Sequence, residues 1–128
     1  MAQSSTTLHE DVQRLGAEVI DRHRAIVSVM EELEAVDWYD QRAKATDDAE
    51  LRAVLEHNRD EEKEHAAMVL EWLRRRDPAL SDHLKTYLFT GEPITEIEQE
   101  SEDTDASSEA QESDGSLGIG SLRGAPKT

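Results

Sequence analysis

The segment His57-Asn58-Arg59-Asp60-Glu61-Glu62-Lys63-Glu64-His65-Ala66-Ala67-Met68-Val69-Leu70-Glu71-Trp72-Leu73 constrains this chain more than any other. Apolar positions at Leu51, Leu55, Val69 and Trp72 follow three–four spacing with no Gly or Pro between them, which predicts a helix. Carried inward, that register puts Leu55, Asn58, Glu62, His65, Val69 and Trp72 on one face. The face is apolar at both ends and holds a carboxylate and an imidazole at its middle. Burying those groups unpaired against another helix costs several kcal/mol. A bound cation removes that cost by turning both into ligands. Glu62 and His65 suit the purpose because, three residues apart, they point the same way from neighbouring turns.

A second helical pattern begins at Leu8 and runs through Val12, Leu15, Val19, Ile26, Met30, Leu33 and Val36 to about Lys44. His23 falls in its seam, the ordinary place of a hydrogen-bonded core histidine. Gly16 is expected inside this helix at a cost of about 1 kcal/mol. Asp47 and Glu50 resemble a capping box for the next helix, and the short turn there makes the two helices antiparallel. Positive charge at Arg74-Arg75-Arg76 suits the end of the second helix. Asp77-Pro78 closes it and opens a shorter third one, with Leu80, Leu84, Tyr87 and Leu88 on one face. Gly91 and Pro93 are expected to end the ordered part.

The first helix carries its own acid cluster, Glu31-Glu32-Leu33-Glu34, and Glu32 lies at the edge of the apolar face between Val29 and Val36. A glutamate from one helix and a Glu-x-x-His pair from the other make half the ligand set of a four-helix di-metal carboxylate site. A symmetric pair of chains would supply the other half. Two Glu32, two Glu62 and two His65 would then enclose two metals roughly 3.5–4 Å apart. Without a cation, four converging carboxylates force some of their number to protonate. Metal binding should therefore favour the assembled state. Read alone, Glu-x-x-His fits a charged, solvated helix face as well; the seam register and the second acid cluster favour the metal.

Two further groups fit either an exposed cation or a plain solvated face. Glu31 and Glu34 lie three apart, and His57, Glu61 and Glu64 fall at i, i+4 and i+7. Trp38 and Tyr39 fit packing at the helix end. A phenol beside a redox metal also serves as a ligand or takes part in electron transfer, which makes Tyr39 a candidate.

Composition narrows the metal and the partners. The chain has 128 residues, enough for one small domain, and no Cys, so only oxygen and nitrogen ligands remain; these suit iron, manganese, calcium or zinc. The net charge is −16, which argues against nucleic acid and for cations. Half of it sits in the last third: residues 1–90 carry 20 acids and 12 bases, and residues 91–128 carry 10 acids and 2 bases. No apolar run approaches the ~20 residues of a membrane span, and the N-terminus lacks the features of a signal peptide. A cytoplasmic location without membrane contact is expected. Residues 1–7 are expected to fray, residues 8–90 to form the helical domain, and residues 91–113, acidic and free of Lys or Arg, to be a disordered linker. In residues 114–128 the aliphatics Leu117, Ile119 and Leu122 return between glycines. A segment too short to fold alone can bind a partner in extended form, its side chains entering apolar pockets.

Glu31-Glu32-Leu33-Glu34-Ala35-Val36-Asp37-Trp38-Tyr39, the segment from Asn58 to His65, Leu70-Glu71-Trp72-Leu73-Arg74-Arg75 and Thr86-Tyr87-Leu88-Phe89-Thr90 together resemble the encapsulated ferritins. Gly115-Ser116-Leu117-Gly118-Ile119-Gly120-Ser121-Leu122 resembles the targeting peptide that loads cargo into encapsulin shells. The resemblance spans most of residues 22–90 and the tail. It implies an all-α fold in which an antiparallel hairpin with a short third helix dimerises into a ferritin-like four-helix bundle and assembles into a ring-shaped decamer. It also implies a ferroxidase that oxidises iron(II) with dioxygen and supplies iron for mineral storage inside an encapsulin nanocompartment. Its di-iron ligands map onto Glu32, Glu62 and His65, with Tyr39 of a neighbouring chain close by. Its accessory metal positions, suited to calcium or zinc, map onto Glu31 and Glu34 and onto His57, Glu61 and Glu64. The residues alone leave two rivals open: a helical protein that calcium or zinc merely glues together, and a cargo adaptor with a vestigial site.

Overall fold

The computed structural model describes residues 6–115, with side chains described as far as Thr104. The described residues are helical throughout their regular structure, with no strand among them: α1 Val12–Ala45, α2 Ala49–Arg76, α3 Pro78–Tyr87 and α4 Ile94–Gly115. The all-α class expected from the sequence is the one observed, and α1 and α2 pack together as an antiparallel hairpin. No helix among the described residues is long and apolar enough to cross a membrane.

Local chemistry sets each helix end. Asp11 caps α1, its carboxylate accepting from the Gln13 amide at 2.9 Å. Gly16 does not sit in a continuous helix as expected: with φ 79° and ψ 161° it breaks α1 after its first turn. An added Cβ there would meet nothing within 4 Å, so the backbone angles alone demand glycine. The cap of α2 is Asp48 rather than Asp47. Its carboxylate accepts from the Leu51 amide at 2.9 Å, while its own amide donates to the Thr46 hydroxyl at 3.2 Å. Arg52 then reaches back across the turn, donating to the carbonyl oxygens of Ala43 and Thr46 that α1 leaves open at its end.

The interior of the hairpin is made of small side chains. Ala25, Ala43 and Ala66 are buried, with Leu73 near the far end of α2. Most of the apolar face expected to form the α1 seam is exposed instead: Val12, Val19, Ile26, Met30 and Leu33 all reach solvent, as do Leu51, Val54 and Met68 on α2. The buried stripe is rotated toward the alanines, which let two helix backbones approach closely where larger residues would hold them apart.

By compactness the chain divides after Ser81, and α3 runs across that division. Pro78 opens α3 at the position where a missing N–H costs nothing, and Asp77 accepts from the Leu80 amide at 3.0 Å. At its far end Leu88 donates to the Leu84 carbonyl, and Phe89 turns into the left-handed region at φ 62° with its ring fully exposed. In the unit from Asp82 onward, the segment expected to be a disordered linker over 91–113 is helical from Ile94 to Gly115. The reason is visible at its start. The Pro93 carbonyl accepts from the Glu96 and Ile97 amides, so Pro93 begins a helix instead of preventing one. Glu and Gln, strong helix formers, follow it. Leu117, Ile119 and Leu122 lie outside the described residues.

An ion-pair cluster ties the end of α2 to the start of α3. Arg74 donates to both Glu71 oxygens, at 2.6 and 2.8 Å, and to the Ser81 hydroxyl at 2.9 Å, and Arg75 adds a bond to Glu71 at 2.7 Å. Hydrogen bonds from these two guanidinium groups pull the Glu71 carboxyl down from 4.5 to about 2. The folded state thus favours ionised Glu71. Its contribution is complete above the unfolded value and is lost as pH falls from about 4.5 toward 2. Glu71→Gln is expected to lower the urea midpoint at neutral pH and to flatten the fall in stability across that window. Superimposable stability–pH curves for the two proteins would show that the cluster adds nothing to folding.

Candidate metal centre

Two turns of α2 and one position of α1 bring the expected ligands together. Glu62 and His65, three residues apart, project from neighbouring turns of α2, and Glu32 reaches them from α1. The His65 Nδ1 lies 3.3 Å from a Glu62 oxygen and 3.7 Å from a Glu32 oxygen. One ligand atom from each of the three falls within 4.8 Å of the others, which makes them the group among the described residues able to hold a metal ion. All three side chains are half-buried: Glu32 is 28% exposed, Glu62 24% and His65 43%. They are held by the hairpin yet open to solvent on one side.

The electrostatics of this cluster follow from its crowding. A hydrogen bond with Glu62, reinforced by burial and by Coulomb repulsion from Glu62, raises the Glu32 carboxyl above the usual carboxylate range. The same hydrogen bond, with help from His65, lowers Glu62. Contact with Glu62 and then Glu32 raises His65 above the usual imidazole value. Two carboxylates this close repel, so Glu32 takes a proton more readily than a free carboxylate does, and the imidazole beside them also gains one more readily. A divalent cation would answer the same need: it would offset the crowded negative charge and take the carboxylate oxygens and the imidazole nitrogen as ligands. Two carboxylates and one imidazole form an oxygen–nitrogen set that fits iron or zinc. Three side chains leave the coordination of any such ion incomplete.

The remaining expected site residues are not drawn into this cluster. His57 Nε2 lies 3.5 Å from Glu61, both well exposed, and Glu64 is not gathered with them into a ligand group. Glu31 and Glu34 are exposed on α1, where Glu31 acts on Glu32 only through its charge. Tyr39 is half-buried, and its ring faces the Arg42 guanidinium at 5.7 Å, with the Trp38 ring 5.9 Å from the same cation. Sequence reasoning passed over the link next to the triad: Arg59 on α2 donates to Asp40 on α1 at 2.9 Å. Its only signal in the sequence is an arginine one turn before Glu62.

Known proteins resemble this chain along most of its length. The chain is 62% identical over 130 residues to the "Encapsulated ferritin-like protein" of Rhodospirillum rubrum, covering 97% of this chain and 93% of that protein. It is 52% identical to the "Ferritin-like protein" of Thermotoga maritima, over 89% of this chain and 96% of that one. A shorter match, 39% identical over 59 residues and covering 46% of this chain and 45% of the relative, reaches the "Encapsulin nanocompartment cargo protein EncC" of Myxococcus xanthus. Among solved structures, a crystal structure of a Nitrosomonas europaea protein is similar with a TM-score of 0.67 and 62% identity, over 68% of this chain and 96% of that one. The EncFtn-like family profile matches residues 7–91, the stretch that carries Glu32, Glu62 and His65, and the chain belongs to that family.

Proposed function

We propose that this protein is a ferroxidase that oxidises iron(II) with dioxygen at a di-iron site shared by two chains, and that it works as cargo inside an encapsulin nanocompartment, where the oxidised iron is stored as mineral. The observation that carries this reading is the Glu32–Glu62–His65 cluster, half a di-metal ligand set on the open side of a two-helix hairpin. The exposed apolar residues Val19, Ile26, Met30 and Leu33 on α1 support pairing, because a second copy would cover them while bringing the other half of the ligands. Further assembly into a ring-shaped decamer would bring Tyr39 of a neighbouring chain to the site. The names of the relatives support the rest: a ferritin-like function, and encapsulin as the partner.

In this reading Glu32 and Glu62 bind iron(II) through their oxygens and His65 through a ring nitrogen. Any proton held between Glu32 and Glu62 is displaced as the ion enters. Two iron(II) ions give up one electron each, and dioxygen, taking up these two electrons with two protons from solvent, is reduced to hydrogen peroxide. Anionic carboxylates stabilise the higher charge of the iron(III) product, which favours electron loss. Glu31 and Glu34, and His57, Glu61 and Glu64, serve as accessory positions for iron on its way in or for calcium or zinc.

The test is dioxygen uptake after anaerobic addition of iron(II). Glu32→Ala, Glu62→Ala and His65→Ala are each expected to lower the initial rate by tenfold or more, on the order of the loss that follows removal of a metal ligand or its support. Zinc, which binds such sites more tightly than iron(II) and is not oxidised, is expected to inhibit the wild type. Near wild-type rates in all three variants would sink the site assignment. Metal binding without dioxygen uptake would leave a protein that metal only holds together.

The tail carries the proposed partner contact. Leu117, Ile119 and Leu122 would dock in extended form into apolar pockets of the shell protein. Removal of residues 114–128 is expected to leave dioxygen uptake unchanged and to abolish co-purification with a co-expressed encapsulin. Unchanged loading of the truncated protein would move the signal into the helical domain.

A further inference from the structure

The buried residues of the two helices that carry the triad are alanines, with Leu73 only near the far end of α2, so interlocking of large buried side chains does not fix the helix register beside the triad. The triad does not fix the register either. The Glu32 and Glu62 carboxylates, facing each other across the interface, repel and do not clamp the two helices together. Yet the ligand atoms must lie within a few ångströms of one another for a single ion to take them all. Something else must hold α1 against α2 near the site.

Among the described residues, the ion pair that joins α1 to α2 outside the triad is Arg59 with Asp40, Nη1 to carboxylate oxygen at 2.9 Å. Arg59 stands one turn before Glu62 on α2, and Asp40 stands about two turns beyond Glu32 on α1, toward the connecting turn. The guanidinium is itself fixed. Its Nε donates to Asp60 at 3.0 Å, and Lys63 holds the same Asp60 oxygen at 3.1 Å. The Arg59 side chain is 22% exposed against 65% for Asp40, so the arginine stem is packed while the acid is in solvent. A pair this accessible adds little to overall stability. Its geometry, however, ties one chosen point of α1 to one chosen point of α2.

We infer that Arg59 is a positioning residue for the metal centre: through Asp40 it holds the helix register in which Glu32 meets Glu62 and His65. This rests on the reading of those three residues as metal ligands. It requires that breaking the pair loosen metal binding far more than it loosens the fold, because the ligands keep their chemistry and lose their alignment.

The experiment titrates the full-length protein with cobalt(II), whose visible bands report both occupancy and coordination geometry. Asp40→Asn and Arg59→Gln are each expected to weaken cobalt binding roughly three- to tenfold, at or below the low end of what outer supports of metal ligands contribute. The double variant should lose no more than either single one, since both break the same contact. Arg59→Lys should recover part of the affinity. Asp21→Asn, which alters the exposed Arg24–Asp21 pair within α1 alone, should stay within about twofold of wild type. Urea midpoints should be nearly equal throughout. Unchanged cobalt affinity in Asp40→Asn and Arg59→Gln would overturn the inference, as would additive losses in the double variant or an equal loss in Asp21→Asn. Should Arg59→Gln fail to fold, Asp40→Asn at its exposed position decides the matter alone. Glu62→Ala runs alongside: if it keeps wild-type affinity, the ligand assignment has failed whatever Arg59 does.

Discussion

Glu32 and Glu62 approach across the hairpin, each offering an oxygen within 4.8 Å of the other, and much of the behaviour of this protein follows from that approach. Two carboxylates at a helix interface repel unless a proton or a cation stands between them. Glu32 is held up, Glu62 is held down, and His65 beside them is drawn toward its charged form. The cluster thus has the charge and the donor atoms to take up a metal ion in exchange for a proton. The alanines beneath it allow the helices to come near enough for three side chains from two helices to converge.

The same hairpin is unfinished in two respects. Three ligands do not complete a two-metal centre, and no described side chain is fully buried. A chain whose large apolar residues on α1 face solvent has little core of its own, and covering that surface with a partner would bury apolar area the single chain leaves in water. The proposed pairing answers both needs with one contact. The half-buried triad and the exposed face around Ile26, Met30 and Leu33 would then be two aspects of a single interface, apolar at its margins and ligand-lined at its centre.

Much of this was legible in the sequence, for reasons that can be named. The Glu62/His65 spacing and the placement of Glu32 depend only on helical periodicity, which is local and strong. The bounds of α2 followed from Arg74-Arg75-Arg76 and Pro78, whose effects are equally local. The failures came where a residue type serves two purposes. Pro93 ends helices and also starts them, and only its carbonyl bonds to Glu96 and Ile97 reveal which. An interior Gly16 looks tolerable until a positive φ shows that it breaks the helix. Periodicity marked an apolar face on α1 without saying that the intrachain contact would use the alanines and leave the larger residues outside. The Arg59–Asp40 link joins residues nineteen positions apart, and no one-helix pattern contains it.

The central claim is that the metal centre exists only between two chains. Native mass spectrometry across a titration with zinc tests it most directly, because it reads mass and metal content for each species separately. The account predicts metal-free single chains, with paired or larger assemblies that appear as zinc is added and carry two site-bound ions per pair of chains, a signal that Glu62→Ala removes. Single chains that bind zinc at the triad as tightly as the assemblies do, or assemblies that form equally well with the triad disabled and no metal present, would contradict it.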